Sequence, residues 1–254
     1  MKTYINEEVL ILNININIEQ DYEALSRKAA QIFAKKIKEN PTGAFGFATG
    51  SSPIGLYKEL VRMHKEEGLD FSGITAFNLD EYHPISRTSE HSYYYFMQEH
   101  LFRHVNINQG KVNIPDGMAK DTETECCSYE AKIAEAGGIV AQILGIGLNG
   151  HIGFNEPGES FEANTRYIPL AEMTLNANAQ HFSNPDEMPR HALTMGIRTI
   201  MMAKSIILLA NGPAKASIMK DAITGAITPL VPASALQLHP SVNVVMDKEA
   251  AAFF

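Results

Sequence analysis

Cysteine is nearly absent from this chain: 254 residues contain two, Cys126 and Cys127, and they are neighbours. Adjacent cysteines make poor structural disulfides and offer no metal-ligand spacing, so they argue against a disulfide-stapled secreted domain and fit a reducing cytoplasm. Basic charge is scarce too, with 21 Lys and Arg against 29 Asp and Glu and a net charge of -8. General nucleic-acid binding needs a basic face, which this balance does not supply. A small anion is not excluded, because it responds to nearby donors more than to the distant sum of charge. No apolar run approaches the ~20 residues of a membrane-spanning helix. The start, Met1-Lys2-Thr3-Tyr4-Ile5-Asn6-Glu7-Glu8, lacks the basic-then-apolar plan of a signal peptide. The expectation is a cytoplasmic protein that binds neither nucleic acid nor membrane.

What is present is an ordinary globular balance, 45% apolar and 20% charged, long enough for one large domain or two small ones. Residues 9 to 18 set Ile14, Ile16 and Ile18 against Asn13, Asn15 and Asn17, a period of two that predicts an edge strand with one wet face. Residues 20 to 39 switch to helical spacing and end at Asn40-Pro41-Thr42-Gly43. Strands are then predicted at 44–48, 74–79, 139–144, 205–210 and 242–246. Helices are predicted at 54–67, from about 91 to 104, at 121–136 and at about 214–224. Residues 194 to 203 read as a Met-rich core helix or its approach, with no cofactor implied by the methionines. His100 and His104 are four apart, but no Glu follows His100, so the zinc-protease pattern fails and the pair reads as an ordinary helix face. Residues 159 to 192 are polar and aperiodic, the best candidate for a mobile flap. There is no repeat and no linker. Alternating strands and helices predict a single α/β domain with a mostly parallel central sheet flanked by helices, Rossmann-like without a dinucleotide motif.

Four strand ends carry chemistry-bearing residues. After 44–48 come Thr49, Gly50, Ser51, Ser52 and Pro53, opening a helix. Backbone N–H groups, hydroxyls and the positive end of a helix dipole at one spot make an anion site. The spacing there is neither Gly-x-Gly-x-x-Gly nor a P-loop with its Lys, so no nucleotide is implied. After 74–79 come Asp80 and Glu81. After 139–144 a glycine-rich run brings Asn149, His151 and Glu156 close together, where a plain tight turn would not need an acid, a base and an amide. After 205–210 Lys215 sits in a first helical turn, unfavourable against the dipole unless an anion lies between. In a parallel sheet those ends share one edge, and ligands bind there. The set fits acid–base chemistry on a small phosphorylated molecule without metal or cofactor. Three hydrogen bonds to a phosphate, at ~1.5–3 kcal/mol each, give roughly 4–9 kcal/mol gross, against the ~4 needed for millimolar binding.

From about residue 20 to residue 247 the chain resembles the glucosamine-6-phosphate deaminase family, related to the 6-phosphogluconolactonases. The motifs are Ala48-Thr49-Gly50-Ser51-Ser52-Pro53, Phe77-Asn78-Leu79-Asp80-Glu81-Tyr82, His91-Ser92-Tyr93, Asn113-Ile114-Pro115-Asp116-Gly117, the glycine-rich run, and Leu236-Gln237-Leu238-His239-Pro240. Phe154-Asn155-Glu156-Pro157 favours the deaminase side. The resemblance implies a phosphorylated amino sugar as partner. Its phosphate would sit on Thr49, Gly50, Ser51, Ser52 and Lys215. His151, held by Glu156 and Asn149, would open the ring, and Asp80 would carry a proton from C2 to C1. The product would be a ketose phosphate plus ammonia. An apolar, closed pocket is expected to raise the Asp80 pKa. Asn149 stands where some members have Asp, which leaves Glu156 alone to balance an imidazolium charge. Gln180 stands where an Arg commonly binds phosphate, with Arg166 and His181 as the cations that could compensate. Ile168 and Pro169 replace the Lys and Thr of allosterically regulated members, so activation by an acetylated sugar phosphate is not expected. A phosphosugar lactonase or isomerase, a non-catalytic sugar-phosphate sensor and a homo-oligomeric state stay open at this point.

Overall fold

The computed structural model describes residues 9–11, 13–172, 174–175 and 188–254. Its centre is an eight-stranded sheet built from β1 (Val9–Ile11), β2 (Ile14–Glu19), β3 (Ala44–Phe47), β4 (Thr75–Asn78), β6 (Val112–Asn113), β7 (Ile139–Gly145), β10 (Ile206–Ala210) and β11 (Val242–Asp247). The spatial order is β1-β2-β11-β10-β7-β3-β4-β6. All pairings are parallel except β1 with β2. The chain runs outward from β3 to β4 and β6, then returns to the other side of β3 and runs through β7, β10 and β11. The order therefore reverses between β3 and β7, and such a switch point leaves a crevice at the carboxyl ends of its two strands.

The middle strands are buried on both faces, so they read as unbroken apolar runs: every residue of β3 and β10 is buried. Helices α1 (Tyr22–Glu39), α2 (Ile54–Glu67), α3 (Tyr93–His100), α4 (Thr122–Glu135), α5 (Ile197–Met201) and α6 (Ala216–Thr224) complete the layers. Phe33 of α1 meets Phe45 and Phe47 of β3 edge to face at 5.4 Å, and Phe47 meets Phe102 at 5.3 Å. Such contacts add ~0.5–1.5 kcal/mol each beyond burial. Asp21, Ser92 and Asp121 each accept a backbone N–H at the start of α1, α3 and α4, caps worth ~1 kcal/mol apiece. Among the described residues no helix is long and apolar enough to cross a membrane.

The single edge strand predicted at 9–18 is two strands, broken where Asn13 takes a φ of 72°. The edge is β1, while β2 lies between β1 and β11. The Asn face of β2 is correspondingly less wet than its alternation suggests: Asn17 is buried and donates to the Val244 carbonyl. The helix predicted to run to about 104 stops at His100, and His104 falls in a separate 3-10 turn, its Nε2 bonded to the Glu99 carbonyl. The two histidines therefore do not share a helix face.

A second, antiparallel sheet lies beside the first: β5 (Asp80–His83), β9 (His191–Thr194) and β8 (Arg166–Pro169), in that order. The sequence reading assigned no strand to any of these. β8 falls inside the stretch read as aperiodic. β9 overlaps its end and the start of the segment read as helix, which begins only at Ile197. Gly196 N-caps that helix and packs against the backbone of residue 163, where a Cβ would lie 2.0 Å from the Ala163 carbonyl oxygen.

Candidate active site

Four chain segments meet at the switch point. β3 leads into residues 48–52, which are pinned from below. The Tyr57 hydroxyl accepts the Ala48 N–H at 3.1 Å and donates to the Ala48 carbonyl at 2.5 Å. The Tyr22 hydroxyl accepts the Gly55 N–H at 2.8 Å and lies 3.0 and 3.1 Å from the Ser51 and Ser52 carbonyls. Ser52 donates to Asn211 Oδ1 at 3.1 Å, which ties this loop to the end of β10. The resulting cavity, about 910 Å³, is lined by Thr49, Gly50, Ser51, Ser52, Asp80, His151 and Lys215, with Tyr82, Tyr93 and Phe154 forming an aromatic wall. Tyr93 stacks on Phe154 with ring centroids 6.0 Å apart. Seven of the nine site residues expected from sequence therefore line one cavity, and the other two stand directly behind His151.

Asp80 is not on a solvated loop. The chain leaves β4, places Leu79 by bonds from its N–H to the Phe47 carbonyl and from the Met195 N–H to its own carbonyl, and enters β5 at Asp80. The residue is only 5% exposed. Burial, with the neighbouring Glu81 charge added, pushes its carboxyl well above the usual carboxylate range. No described residue donates a hydrogen bond to it.

Glu81 points the other way and does a different job. Its carboxylate accepts the backbone N–H groups of Tyr82 (2.9 Å), Tyr93 (2.8 Å) and Tyr94 (2.9 Å). It thus caps the amino end of α3 and docks that helix on β5, while burial pushes its pKa up to about 7 against the pull of those N–H groups. Glu81→Ala would leave three donors without an acceptor in a site 1% exposed. Destabilisation of about 3 kcal/mol is expected, at ~1–3 kcal/mol per unsatisfied group with partial relaxation. Urea unfolding of the variant against the parent measures it.

The glycine-rich run after β7 holds Asn149, His151 and, just beyond, Glu156. The Gly147 N–H donates to the His151 carbonyl at 2.9 Å and the Gly150 N–H to the Gly147 carbonyl at 3.1 Å. Gly145, Gly147 and Gly150 have the letter spacing of a dinucleotide fingerprint, but no helix opens after them, so its structural context is missing. The Asn149 amide sits between the other two members. Its Nδ2 donates to Glu156 Oε2 at 2.7 Å, and its Oδ1 lies 2.8 Å from His151 Nδ1. Burial opposes the Glu156 charge, but the nearby His151 ring and the hydrogen bonds from Thr174 and Asn149 outweigh it and hold the carboxyl at about 2. An ionised carboxylate only accepts, so the amide must turn its NH₂ toward Glu156 and its oxygen toward the ring. In the neutral ring, Nδ1 then carries the proton and Nε2 the lone pair. Glu156 Oε1 stays 3.6 Å from Nδ1.

Lys215 donates from Nζ to the Ile146 carbonyl at 2.6 Å, and burial lowers its pKa. Its ammonium therefore lies between β10 and the loop that carries His151. Arg166 does not reach the cavity: it donates to Asn155 Oδ1 at 2.8 Å and pairs with Glu159 at 3.0 Å. Asn155 in turn donates to the Ile152 and Met195 carbonyls at 2.8 Å. Arg166 thus braces the run after His151, and the expectation that it could compensate for Gln180 does not hold. Gln180 and His181 lie outside the described residues. Thr174 was missed: it is a single Thr in an aperiodic segment, and nothing in the sequence marks it.

This geometry defines an α/β protein with a pocket of acid, base and hydroxyl groups at its switch point. Residues 18–245 match the family model described as glucosamine-6-phosphate isomerases/6-phosphogluconolactonase, and the chain belongs to that family. It is 52% identical over 236 residues to a glucosamine-6-phosphate deaminase of Alkaliphilus oremlandii, covering 93% of this chain and 98% of that one. It is 51% identical over 238 residues to the deaminase of Thermoanaerobacter pseudethanolicus, covering 94% of each. A solved monomeric glucosamine-6-phosphate deaminase superposes with a TM-score of 0.91 at 45% identity, covering 94% of this chain and 99% of that one. The 6-phosphogluconolactonase of Trypanosoma brucei shares the fold, with a TM-score of 0.72 at 20% identity over 93% of this chain and 97% of that one.

Proposed function

We propose that this protein converts glucosamine 6-phosphate and water to a ketose 6-phosphate and ammonia in the cytoplasm. The observation that carries the reading is one cavity in which a desolvated carboxyl, Asp80, shares a wall with a tautomer-fixed imidazole, His151. The likeness to deaminases at about half identity supports it. The phosphate rests on the loop of Thr49, Gly50, Ser51 and Ser52, with Lys215 supplying positive charge. His151 Nε2 takes the proton of the C1 hydroxyl and hands it to the ring oxygen, and the pyranose opens to an aldehyde. Imidazole suits both directions of that transfer near neutral pH. Asp80 removes the C2 proton and returns it at C1, leaving an iminium at C2. Water adds there and ammonia departs. The aromatic wall keeps bulk water from Asp80; of the flap expected at 159–192, residues 173 and 176–187 lie outside the described residues.

The test is ammonia release from glucosamine 6-phosphate and, in parallel, from galactosamine 6-phosphate. Release from the first is expected, and the ratio of the two rates assigns the epimer. Turnover of a phosphogluconolactone without ammonia release from either amino sugar would establish a lactonase, and binding of both without turnover would establish a sensor.

A further inference from the structure

The Nδ1 side of His151 has two oxygens in view, Asn149 Oδ1 at 2.8 Å and Glu156 Oε1 at 3.6 Å. Nδ1 carries one proton, and 3.6 Å is too long for a hydrogen bond. A carboxylate is nevertheless the stronger acceptor, since charge-assisted hydrogen bonds are about twice as strong as neutral ones. Something must therefore keep Glu156 from taking the ring. Its Oε2 is held by the Asn149 amide at 2.7 Å. Its Oε1, the oxygen nearer the ring, is held by the Thr174 hydroxyl, also at 2.7 Å. Thr174 is buried, lies on the cavity wall, and sits in a helical turn closed by the Leu175 N–H to the Ala171 carbonyl.

We propose that Thr174 is a positioning residue for His151: its hydroxyl anchors the Glu156 oxygen nearer the ring and holds it 3.6 Å from Nδ1, so the ring is oriented by a neutral amide. The need for such a residue follows from Asn149. The amide supplies no charge to compete with Glu156, so the balance between the two acceptors is set by a third group. When the hydroxyl is removed, Oε1 is free to close on Nδ1. The ring then turns from Asn149, and a charge-assisted bond stabilises the imidazolium that the return proton transfer must discharge.

Two readouts test this, and only the second rests on the deaminase reading. In protein with ¹⁵N-labelled histidine, the His151 Nδ1–H resonance, assigned by its loss in His151→Gln, is expected to move downfield in Thr174→Val and to stay in place in Thr174→Ser. A resonance unmoved in Thr174→Val overturns the inference whatever the substrate. In the ammonia assay, Thr174→Val is expected to lower kcat about tenfold with KM changed less than about twofold, and Thr174→Ser to restore kcat to within about twofold. Equal losses in the Val and Ser variants, or a rise in KM alone, would make Thr174 a packing or substrate-contact residue instead.

Discussion

Asp80→Asn is expected to cut ammonia release about 10³-fold, the range assigned to a positioned general base, while KM stays near the parent value. The same substitution is expected to raise the melting temperature at neutral pH. Both effects come from one feature, a carboxyl that folding removes from water and leaves without a hydrogen-bond donor among the described residues. Its folded pKa is raised, so between the ordinary Asp value of ~3.9 and the raised value the folded state holds more protons than the unfolded one. Stability therefore falls as pH climbs through that window, and the cost is fully present above it. Asn is neutral throughout and does not carry this cost. Thermal melts of parent and variant should differ most above the window and converge below pH ~4, where both side chains are uncharged. The parent's kcat should also fall on the acid side at a higher pH than an ordinary Asp would give, because protonation removes the base. A variant that loses activity and also melts earlier at neutral pH would mean that Asp80 is held for structure, not for proton transfer.

The parallel core was legible because burial on both faces writes a strand as an unbroken apolar run, as at residues 139–144 and 205–210. Its carboxyl ends were legible for the same reason, since a run that stops at glycines and polar groups announces an edge. The small sheet was not. Asp80-Glu81-Tyr82-His83 has no strand signal of its own, and it becomes a strand by pairing with His191–Thr194, which in turn needs Arg166–Pro169. Pairing of that range is settled by the tertiary fold and leaves no local periodicity to read. Glu81 was half read: the acidic pair was visible, but not that one carboxyl faces the cavity while the other caps α3. At Asn149 the sequence suggested loss of a charge. The geometry shows what the amide does instead, accepting from the ring on one side and donating to Glu156 on the other, which an Asp in this position could not do while ionised.

Gly147→Ala should lower kcat about 10²-fold, the cost of misplacing a reacting group by roughly 1 Å, while leaving the chain folded. Glycine is needed here for space and not for backbone freedom, since Gly147 is not among the glycines with positive φ. A Cβ at this position would lie 2.2, 2.3 and 2.6 Å from Cε1, Nδ1 and Nε2 of His151. Those atoms are the face of the imidazole, so the ring packs directly against the loop's own backbone. The ring cannot give way toward Asn149, which already holds Nδ1 at 2.8 Å. It must therefore break that bond and swing toward the cavity, or the loop must shift and pull on the Lys215 contact at Ile146. The first route removes the tautomer control and displaces Nε2. The second disturbs the phosphate cradle proposed on residues 49–52 and Lys215 and raises KM. Overpacking costs ~1–3 kcal/mol, less than the stability of an ordinary domain, so circular dichroism should show a native spectrum with a lower melting temperature. A kcat loss at near-constant KM identifies ring displacement, a KM rise identifies loop displacement, and parent-like values of both would refute the steric role assigned to Gly147.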